Sequence, residues 1–555
     1  MNRPWIAMIL LLTAALGSAP ARAGLTPSWV HRTYAPILST PKMADLDGDG
    51  RKEIIVATYG TEQGHQYDAG YVHVFELDGR ERPGWPYVSD GAPIPATPVI
   101  GDLDGDGDQQ ILIGSWQELL VLEPDGSPSP GFPKPYGTIE TAALYDLNGD
   151  GYLEILYPSN NRLYLMDRFG TTLPGWPFHI EYGYDIGSPV VGDIDGDGQV
   201  EIVAGSHKGP VDSTPFKVYA WEIDGTLIAG WPFTASGVIK ACPALGDMDG
   251  DGDVEIAVGA YHTSDNDYFY LLQGDGTLMP GWPRRAGYIR LSPPALADVD
   301  GDGRPEIFVG GGQTSAPYHG QVFAFEADGS TLPGFPITLP SGGGINDAPI
   351  LLDLDGNPAQ LELLVKNQDH IHGYHTDGTP MANFPIVLND QGYTGTTSPG
   401  PLAGDADDDG DAELVFCSNY DMVFFIGSLG PLNPALAYWP TYKHDMHNTG
   451  SLGTRERALL AEHEPGGPPG PALSCSPNPF SLETRIELLG ARSAEKGTRI
   501  GVFDIAGRRV RAYRLGIGAA VLWDGRDDAG LALPAGSYFV RVEGLPAARR
   551  LTLVR

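Results

Sequence analysis

Apolar runs of three to six residues alternate along most of the chain with turns rich in Gly, Asp and Pro, and they recur in one fixed order. A short run such as TPVIGD or PALGD predicts an inner strand, here called a. An acidic loop follows, and then a β-rich run (IIVA, ILIG, EILY, EIVAG, EIAVG, EIFVG, ELLV or ELVF) predicts strand b. A third run, as in YVHVFELDG, RLYLMDRFG, KVYAWEIDG and QVFAFEADG, predicts strand c and usually ends in an Asp-Gly turn. Each unit closes on an aromatic-proline step: Trp85-Pro86, Phe132-Pro133, Trp176-Pro177, Trp231-Pro232, Trp282-Pro283, Phe335-Pro336, Phe384-Pro385 and Trp439-Pro440. Proline has no N–H to give a ladder, so this step belongs on an outer edge strand, d.

The acidic loops count the units. They begin at Asp45, Asp102, Asp146, Asp193, Asp247, Asp298, Asp353 and Asp405, so seven intervals span 360 residues, a period of about 51. Four short antiparallel strands cannot bury both faces alone, and radial stacking leaves only short, protected edges. Residues 28–452 therefore read as an all-β propeller of eight blades, with seven blades and a divergent eighth unit as the alternative. The recurring aromatic reads as a wedge between blades rather than an exposed sugar platform, because it returns in every unit.

Composition narrows the class. With 75 Gly and 49 Pro in 555 residues, long helical bundles are excluded, while 41% hydrophobic residues suffice for a large core. The 71 Asp+Glu against 35 Lys+Arg leave a formal charge of −36, which excludes nucleic acid as a general partner. Cys242, Cys417 and Cys475 are scattered and odd in number, so no disulfide framework is predicted. Arg3, the apolar run from Trp5 to Gly17 and the Ala21-Arg22-Ala23 cleavage pattern make residues 1–23 a secretory signal peptide, and no later stretch reaches membrane-spanning length. Residues 453–476 read as a Pro/Gly-rich linker, and residues 477–555, where strand-like phrases alternate with turn signals, as a small Ig-like β-sandwich.

The loops carry the chemistry. Carboxylates at alternating positions repel one another unless a cation lies between them, and hard oxygen donors in a flexible loop select calcium. The expected ligands at positions one, three, five, seven (by its carbonyl) and nine are Asp45, Asp47, Asp49, Arg51 and Glu53 in the first loop. They are Asp146, Asn148, Asp150, Tyr152 and Glu154 in the third, and Asp193, Asp195, Asp197, Gln199 and Glu201 in the fourth. The fifth offers Asp247, Asp249, Asp251, Asp253 and Glu255, and the sixth Asp298, Asp300, Asp302, Arg304 and Glu306. The eighth offers Asp405, Asp407, Asp409, Asp411 and Glu413. The second has Asp102, Asp104, Asp106 and Asp108 but Gln110 at position nine, predicting a weaker site. The seventh, with Asn357-Pro358 and Glu362 displaced by one, is expected to be weak or empty, for six to eight Ca2+ in all.

An EF-hand begins alike but ends in Glu at position twelve and is flanked by helices; here Glu at position nine opens a strand. The eight units thus resemble the FG-GAP/VCBS propeller repeats of integrin α-subunits and bacterial secreted proteins. That resemblance implies structural calcium and a role in adhesion or ligand binding. The C-terminal phrases Pro477-Asn478-Pro479-Phe480, Val502 to Arg508, Trp523 to Asp527 and Gly536 to Phe539 resemble the Ig-like module of the flagellar hook-capping protein and the type A sorting modules of type IX secretion. This implies a contact with secretion or anchoring machinery.

No nucleophile, zinc or phosphate-loop motif appears, so no catalytic residue is assigned. His370 and His372 are expected to share a sheet face, and His444 and His447 to help close the ring. The first reading is a non-catalytic, calcium-bound propeller, secreted or at the cell surface, that binds an extracellular glycan or protein. The alternatives are a polysaccharide-active enzyme resembling rhamnogalacturonan lyases and a purely architectural envelope protein. Connectivity puts the calcium loops and Asp-Gly turns on one face and the more variable b–c and d–a connections on the other, with Tyr184, Tyr261, Tyr288 and Tyr318 as candidate ligand contacts.

Overall fold

The computed structural model describes residues 25–452 apart from 61–68, 181–184, 208–215, 262–266, 288, 290–291, 313–318, 341–343, 358–359, 368–369, 388–398, 419–420 and 434–435, together with C-terminal strands beyond 471. The signal-peptide segment lies outside these residues. Eight antiparallel sheets follow one another along residues 29–426, so the propeller has eight blades and the seven-bladed alternative falls. No α-helix occurs among the described residues, and none is long and apolar enough to cross a membrane.

Blade 1 shows the plan: Lys42–Ala44, Glu53–Ala57, Tyr71–Phe75 and Tyr87–Val88 pair in sequence as strands a to d. Strand b is buried along its whole length because each sheet is sandwiched between two neighbours, which is why these runs read as continuous apolar stretches rather than as alternating ones. The core is correspondingly interfacial. Ile55, Val72 and Val74 of blade 1, for example, pack with Ile111, Ile113 and Leu120 of blade 2.

The aromatic-proline step is the wedge that was expected. Trp85, Phe132, Trp176, Trp231 and Trp282 are buried. The indoles donate to the carbonyl just before the next blade's Asp-Gly turn: Trp85 to Pro124 at 3.1 Å, Trp176 to Ile223 at 2.8 Å, Trp231 to Gly274 at 2.7 Å and Trp282 to Ala327 at 2.7 Å. The glycine before the wedge in blades 1 to 6 packs against the next blade at or beside this turn. A Cβ on Gly175, Gly230 or Gly281 would lie 2.1 to 2.2 Å from the carbonyl oxygen of Asp224, Asp275 or Asp328.

The eighth unit departs from expectation. Trp439-Pro440 does not form its outer strand; Trp29–Arg32 does, pairing with Met422–Ile426 in the register Trp29↔Phe425. An N-terminal strand completing the last blade joins the two ends of the ring, and its ladder bonds replace a covalent connection.

Trp439 instead opens a segment that runs past the inner strands of most blades. Inner-strand N–H groups donate to it in order: Leu351 to Trp439 at 3.0 Å, Ala403 to Pro440 at 3.1 Å, Ile100 to Met446 at 3.0 Å, Leu144 to His447 at 3.0 Å, Val191 to Thr449 at 3.0 Å and Leu245 to Gly450 at 2.9 Å. These contacts follow blades 7, 8, 2, 3, 4 and 5. Blade 1 joins through the Lys42 ammonium, which donates to the carbonyls of Tyr442 at 3.2 Å and Asp445 at 2.7 Å. The inner strands would otherwise present unpaired N–H groups to the central channel, and residues 439–452 satisfy them.

Above this segment a girdle of hydroxyls links successive blades. The Thr40 N–H donates to Thr97 Oγ1 at 3.2 Å, Thr97 to Thr141 Oγ1 at 3.3 Å and Thr141 to Ser188 Oγ at 2.9 Å. In the C-terminal region, Ala472–Ser476, Thr484–Leu489 and Ala520–Trp523 form one sheet, and Thr498–Asp504, Arg509–Leu515, Gly536–Val542 and Ala548–Leu553 form another. The first of these strands falls inside the segment read as linker. Its alternating Ala-Leu-Ser-Cys-Ser pairs with Leu489 to Arg485, so the linker ends before Ala472.

Candidate metal loops and the two faces

Each acidic loop is a hairpin connection between strands a and b, shaped by two glycines in the first six loops and by one, Gly356 or Gly410, in the last two. In the first, Gly48 at φ 70° and Gly50 at φ 90° occupy left-handed backbone that side chains avoid, and the turn directs loop N–H groups inward. The position-one aspartate receives them: Asp45 accepts from Asp49 at 3.1 Å and Gly50 at 2.9 Å, and Asp247 from Gly250 at 2.8 Å and Gly252 at 3.2 Å. Ligand atoms of Asp45, Asp47 and Glu53 converge within 4.8 Å of one another, as do those of Asp102, Asp104 and Asp106, of Asp193, Asp195 and Asp197, of Asp247, Asp249 and Asp251, and of Asp298, Asp300 and Asp302.

Position nine repeats one bond in every loop. The side chain accepts the N–H of position two: Glu53 from Leu46 at 2.9 Å, Gln110 from Leu103 at 2.7 Å, Glu154 from Leu147 at 2.9 Å and Glu201 from Ile194 at 2.7 Å. Glu255 accepts from Met248 at 2.8 Å, Glu306 from Val299 at 2.7 Å, Glu362 from Leu354 at 2.6 Å and Glu413 from Ala406 at 2.6 Å. The displaced Glu362 thus keeps the bond, and Gln110 keeps it with an amide oxygen.

The second oxygen is where the loops differ. Glu201 Oε1, Glu413 Oε1 and Asp405 Oδ1 are buried without a hydrogen-bond partner. Burial pushes the carboxyls of Glu201, Glu255, Glu306 and Glu413 up to about 8 and those of Glu53 and Glu154 up to about 7, with neighbouring loop aspartates adding to the effect in most of them. In the third loop Asn148 donates to Glu154 Oε1 at 2.7 Å. In the seventh His375 Nδ1 lies 3.0 Å from Glu362 Oε1. In the first, Arg82 Nη1 lies 3.0 Å from Glu53 Oε2 and its Nη2 bonds Asp47.

Neighbouring loops touch. The Gln109 N–H donates to the Leu46 carbonyl at 3.0 Å, and that of Lys52 to the Ala406 carbonyl at 3.1 Å, tying the second loop to the first and the first to the eighth. Position-seven side chains reach the preceding loop's first glycine, Tyr152 over Gly105 and Asp253 over Gly196. Between blades 4 and 5 a cleft of about 340 Å³ is walled by Asp195, Asp251, Asp253, Glu255 and Asp275. Loops and Asp-Gly turns therefore share a face, as connectivity implies. That face also holds acids not singled out from sequence: Glu76, Glu123, Glu222 and Glu326, each two residues before the Asp-Gly turn and close enough to influence a loop carboxylate or accept from Gln110. The phrases FELDG, LEPDG, WEIDG and FEADG carried that signal.

On the opposite face the d–a and b–c connections meet. Val238 and Tyr261 exchange N–H···O bonds of 2.7 and 2.8 Å, and the N–H of Tyr59 donates to Pro36 at 2.6 Å. Tyr261 is half-buried there. Tyr184, Tyr288 and Tyr318 lie outside the described residues. His370 and His372 stack with centroids 5.7 Å apart on one sheet face. His444 lies in the channel segment, 3.4 Å from Asp445 and 5.1 Å from the Trp439 ring.

Residues 45–113, 146–204 and 247–309 match the FG-GAP-like repeat family. Comparison with curated proteins finds no match. Among solved structures, the biofilm matrix protein Bap1 of V. cholerae superposes with a TM-score of 0.51 at 14% identity over 75% of this chain and 92% of that one. The Dos1 propeller gives a TM-score of 0.47 at 14% identity over 73% and 96%. At such identities the likeness to Bap1 is one of fold. The chain carries FG-GAP-like repeats on an eight-bladed β-propeller.

Proposed function

We propose that this chain is an exported, calcium-stabilised propeller that acts as a non-catalytic binding module, holding a glycan or protein on the face made by its b–c and d–a connections. One observation carries the calcium reading. The position-nine carboxylate is buried in a loop of converging aspartates, uses one oxygen on a loop N–H, and in Glu201 and Glu413 leaves the other without a partner. A buried carboxylate oxygen with no donor is costly, and a hard cation held by these oxygens removes the cost and the mutual repulsion together. Asp45, Asp146, Asp193, Asp247, Asp298 and Asp405 head the loops with full ligand sets.

The binding reading follows from the division of labour between faces. The loops are nearly constant and their carboxylates turn inward onto loop N–H groups, whereas the connections on the other face vary from unit to unit. Export rests on the N-terminal pattern and suits the millimolar-range affinity typical of extracellular calcium modules. The test is a pair of measurements on the exported chain: thermal melts with and without chelator, and a glycan array run beside an assay for unsaturated uronate. A calcium-dependent melt with glycan binding and no uronate is expected. Uronate release would replace the binding module with a lyase, and an unchanged melt after verified metal removal would remove calcium.

A further inference from the structure

We propose that in the first loop the guanidinium of Arg82 takes the place of the calcium ion, so that this loop is closed by the protein itself; the inference rests on the calcium reading of the other loops. Arg82 sits on the c–d turn at a position that blades 1 to 7 define by the same backbone bond. Its N–H donates to Val74 at 2.8 Å, as do those of Leu173, Ile228, Met279, Leu332 and Met381 to their own strand c. Those five are apolar, and Ser129 fills the place in blade 2. Only blade 1 puts a cation there among these seven.

The cation is aimed inward. The Arg82 side chain is 15% exposed, with Nη1 3.0 Å from Glu53 Oε2 and Nη2 on Asp47 Oδ2, so it bridges position three to position nine, two of the groups whose oxygens converge. Asp45 accepts loop N–H groups on both oxygens, and at Glu53 the Leu46 N–H and Arg82 Nη1 lie on the same oxygen, Oε2. In the fourth and eighth loops the corresponding side chains have no guanidinium against them, and Glu201 Oε1, Glu413 Oε1 and Asp405 Oδ1 are buried with no donor. Arg304 of the sixth loop differs, being 52% exposed and gripping a single carboxylate, Asp302, from its own strand side. A guanidinium cannot give up its proton near neutral pH, so it and a divalent ion exclude each other from one carboxylate set.

The location gives the substitution a consequence. Blade 1 packs against blade 8, the blade completed by the N-terminal strand, and Lys52 of the first loop ties this seam further by donating from Nζ to the Asp405 carbonyl at 2.8 Å. The first loop, from which Lys52 reaches across the seam, is thereby held in shape at calcium concentrations that empty the other loops.

Crystals of the wild-type chain soaked in terbium and read by anomalous scattering test this, together with calcium stoichiometry for wild type and for Arg82→Leu and Arg82→Met, which install the side chains of the other blades. The expected result is peaks at the other five complete loops, none at Asp45–Glu53, and one additional ion per chain in either variant. A wild-type peak at the first loop, or variants that fold and bind no further ion, would overturn it. Should neither variant fold, the wild-type map decides alone. Absence of peaks at every loop is the separate failure of the calcium reading, and it takes this inference with it.

Discussion

The indole N–H of Trp29 donates to the carbonyl of Leu77 at 2.8 Å. Leu77 stands just before Asp78-Gly79, so this is the bond that Trp85, Trp176, Trp231 and Trp282 each make to the next blade. Trp29 also stacks on Phe425 at 5.3 Å, on the blade it completes. It is therefore the eighth wedge, supplied from the other end of the chain, and the contact between blades 8 and 1 repeats the contact between the others.

Replacing Trp29 tests the equivalence. Trp29→Phe keeps the ring and loses the N–H, as in the blades that carry Phe132, Phe335 and Phe384, and should cost about 1 kcal/mol. Trp29→Ala also opens the seam and should cost about 3 kcal/mol. Urea denaturation reads both, and equal costs would mean that the ring contributes nothing beyond its hydrogen bond.

Most of the architecture was legible because it is repeated: eight acidic loops and eight inner strands announce blades, and the connectivity of an antiparallel sheet puts loops and Asp-Gly turns on one face. What escaped occurs once. Trp29 lacks the glycine and proline that mark the other wedges, so nothing local distinguishes Trp29-Val30 from an extended tail. The course of residues 439–452 depends on backbone carbonyls meeting N–H groups from distant strands, which leaves no side-chain pattern, and Trp439-Pro440 imitated a wedge. Arg82 is a single arginine in a turn, unremarkable until the turn is placed against Asp47 and Glu53.

The glycine before the wedge in blades 1 to 6 carries two separate demands, and comparison with Gly149 of the third acidic loop measures them apart. Gly149 has φ 72° with nothing within 4 Å of an added Cβ, so Gly149→Ala should cost only the left-handed backbone penalty, about 1 to 2 kcal/mol. Gly230 has φ 96° and an added Cβ would lie 2.1 Å from the Asp275 carbonyl oxygen. Backbone on both sides cannot yield without separating blades 4 and 5, so Gly230→Ala should cost at least about 2 kcal/mol more. The seventh unit has Asn383 at this place with φ 71°, in keeping with the residue best able to replace glycine there. Similar melting shifts for the two variants would refute the blade contact.

Burial pushes the Lys42 ammonium down to about 7 and that of Lys443 down to about 8. In the unfolded chain lysine titrates near 10.4. Between pH 8.5 and 10 these two lysines therefore bind more protons in the unfolded state and make stability rise with pH across that window, while the Cys242 and Cys417 thiols, which burial pushes up to about 11 and about 12, act in the opposite sense. The raised loop carboxyls lie at or below about 8 and act mainly beneath it. Lys42→Met should lower the slope by up to about 1.4 kcal/mol per pH unit, the value for one proton. A slope unchanged in the variant would show that Lys42 keeps its charge in the channel.

The loops should also differ in what calcium adds. Asp247 heads a set in which Asp247, Asp249 and Asp251 converge, whereas Asp353 heads a loop with Asn357 at position five and His375 Nδ1 already 3.0 Å from Glu362. Both aspartates also support their turns, Asp247 from Gly250 at 2.8 Å and Asp353 from Gly356 at 2.7 Å, so Asn is the substitution of choice because its amide oxygen keeps an acceptor. Asp247 accepts on both oxygens, from Gly250 and Gly252, so Asp247→Asn also loses one turn bond, and the calcium increment is read within each variant as its melt with calcium minus its melt in chelator. At 10 mM calcium, with a site dissociation constant of about 10⁻⁴ to 10⁻³ M, one occupied loop adds about 1.5 to 3 kcal/mol by mass action. Asp247→Asn should lose that increment and Asp353→Asn should retain the wild-type gain. Equal losses in calcium would place an ion in the seventh loop, and no loss in either would remove the fifth loop from the set that binds.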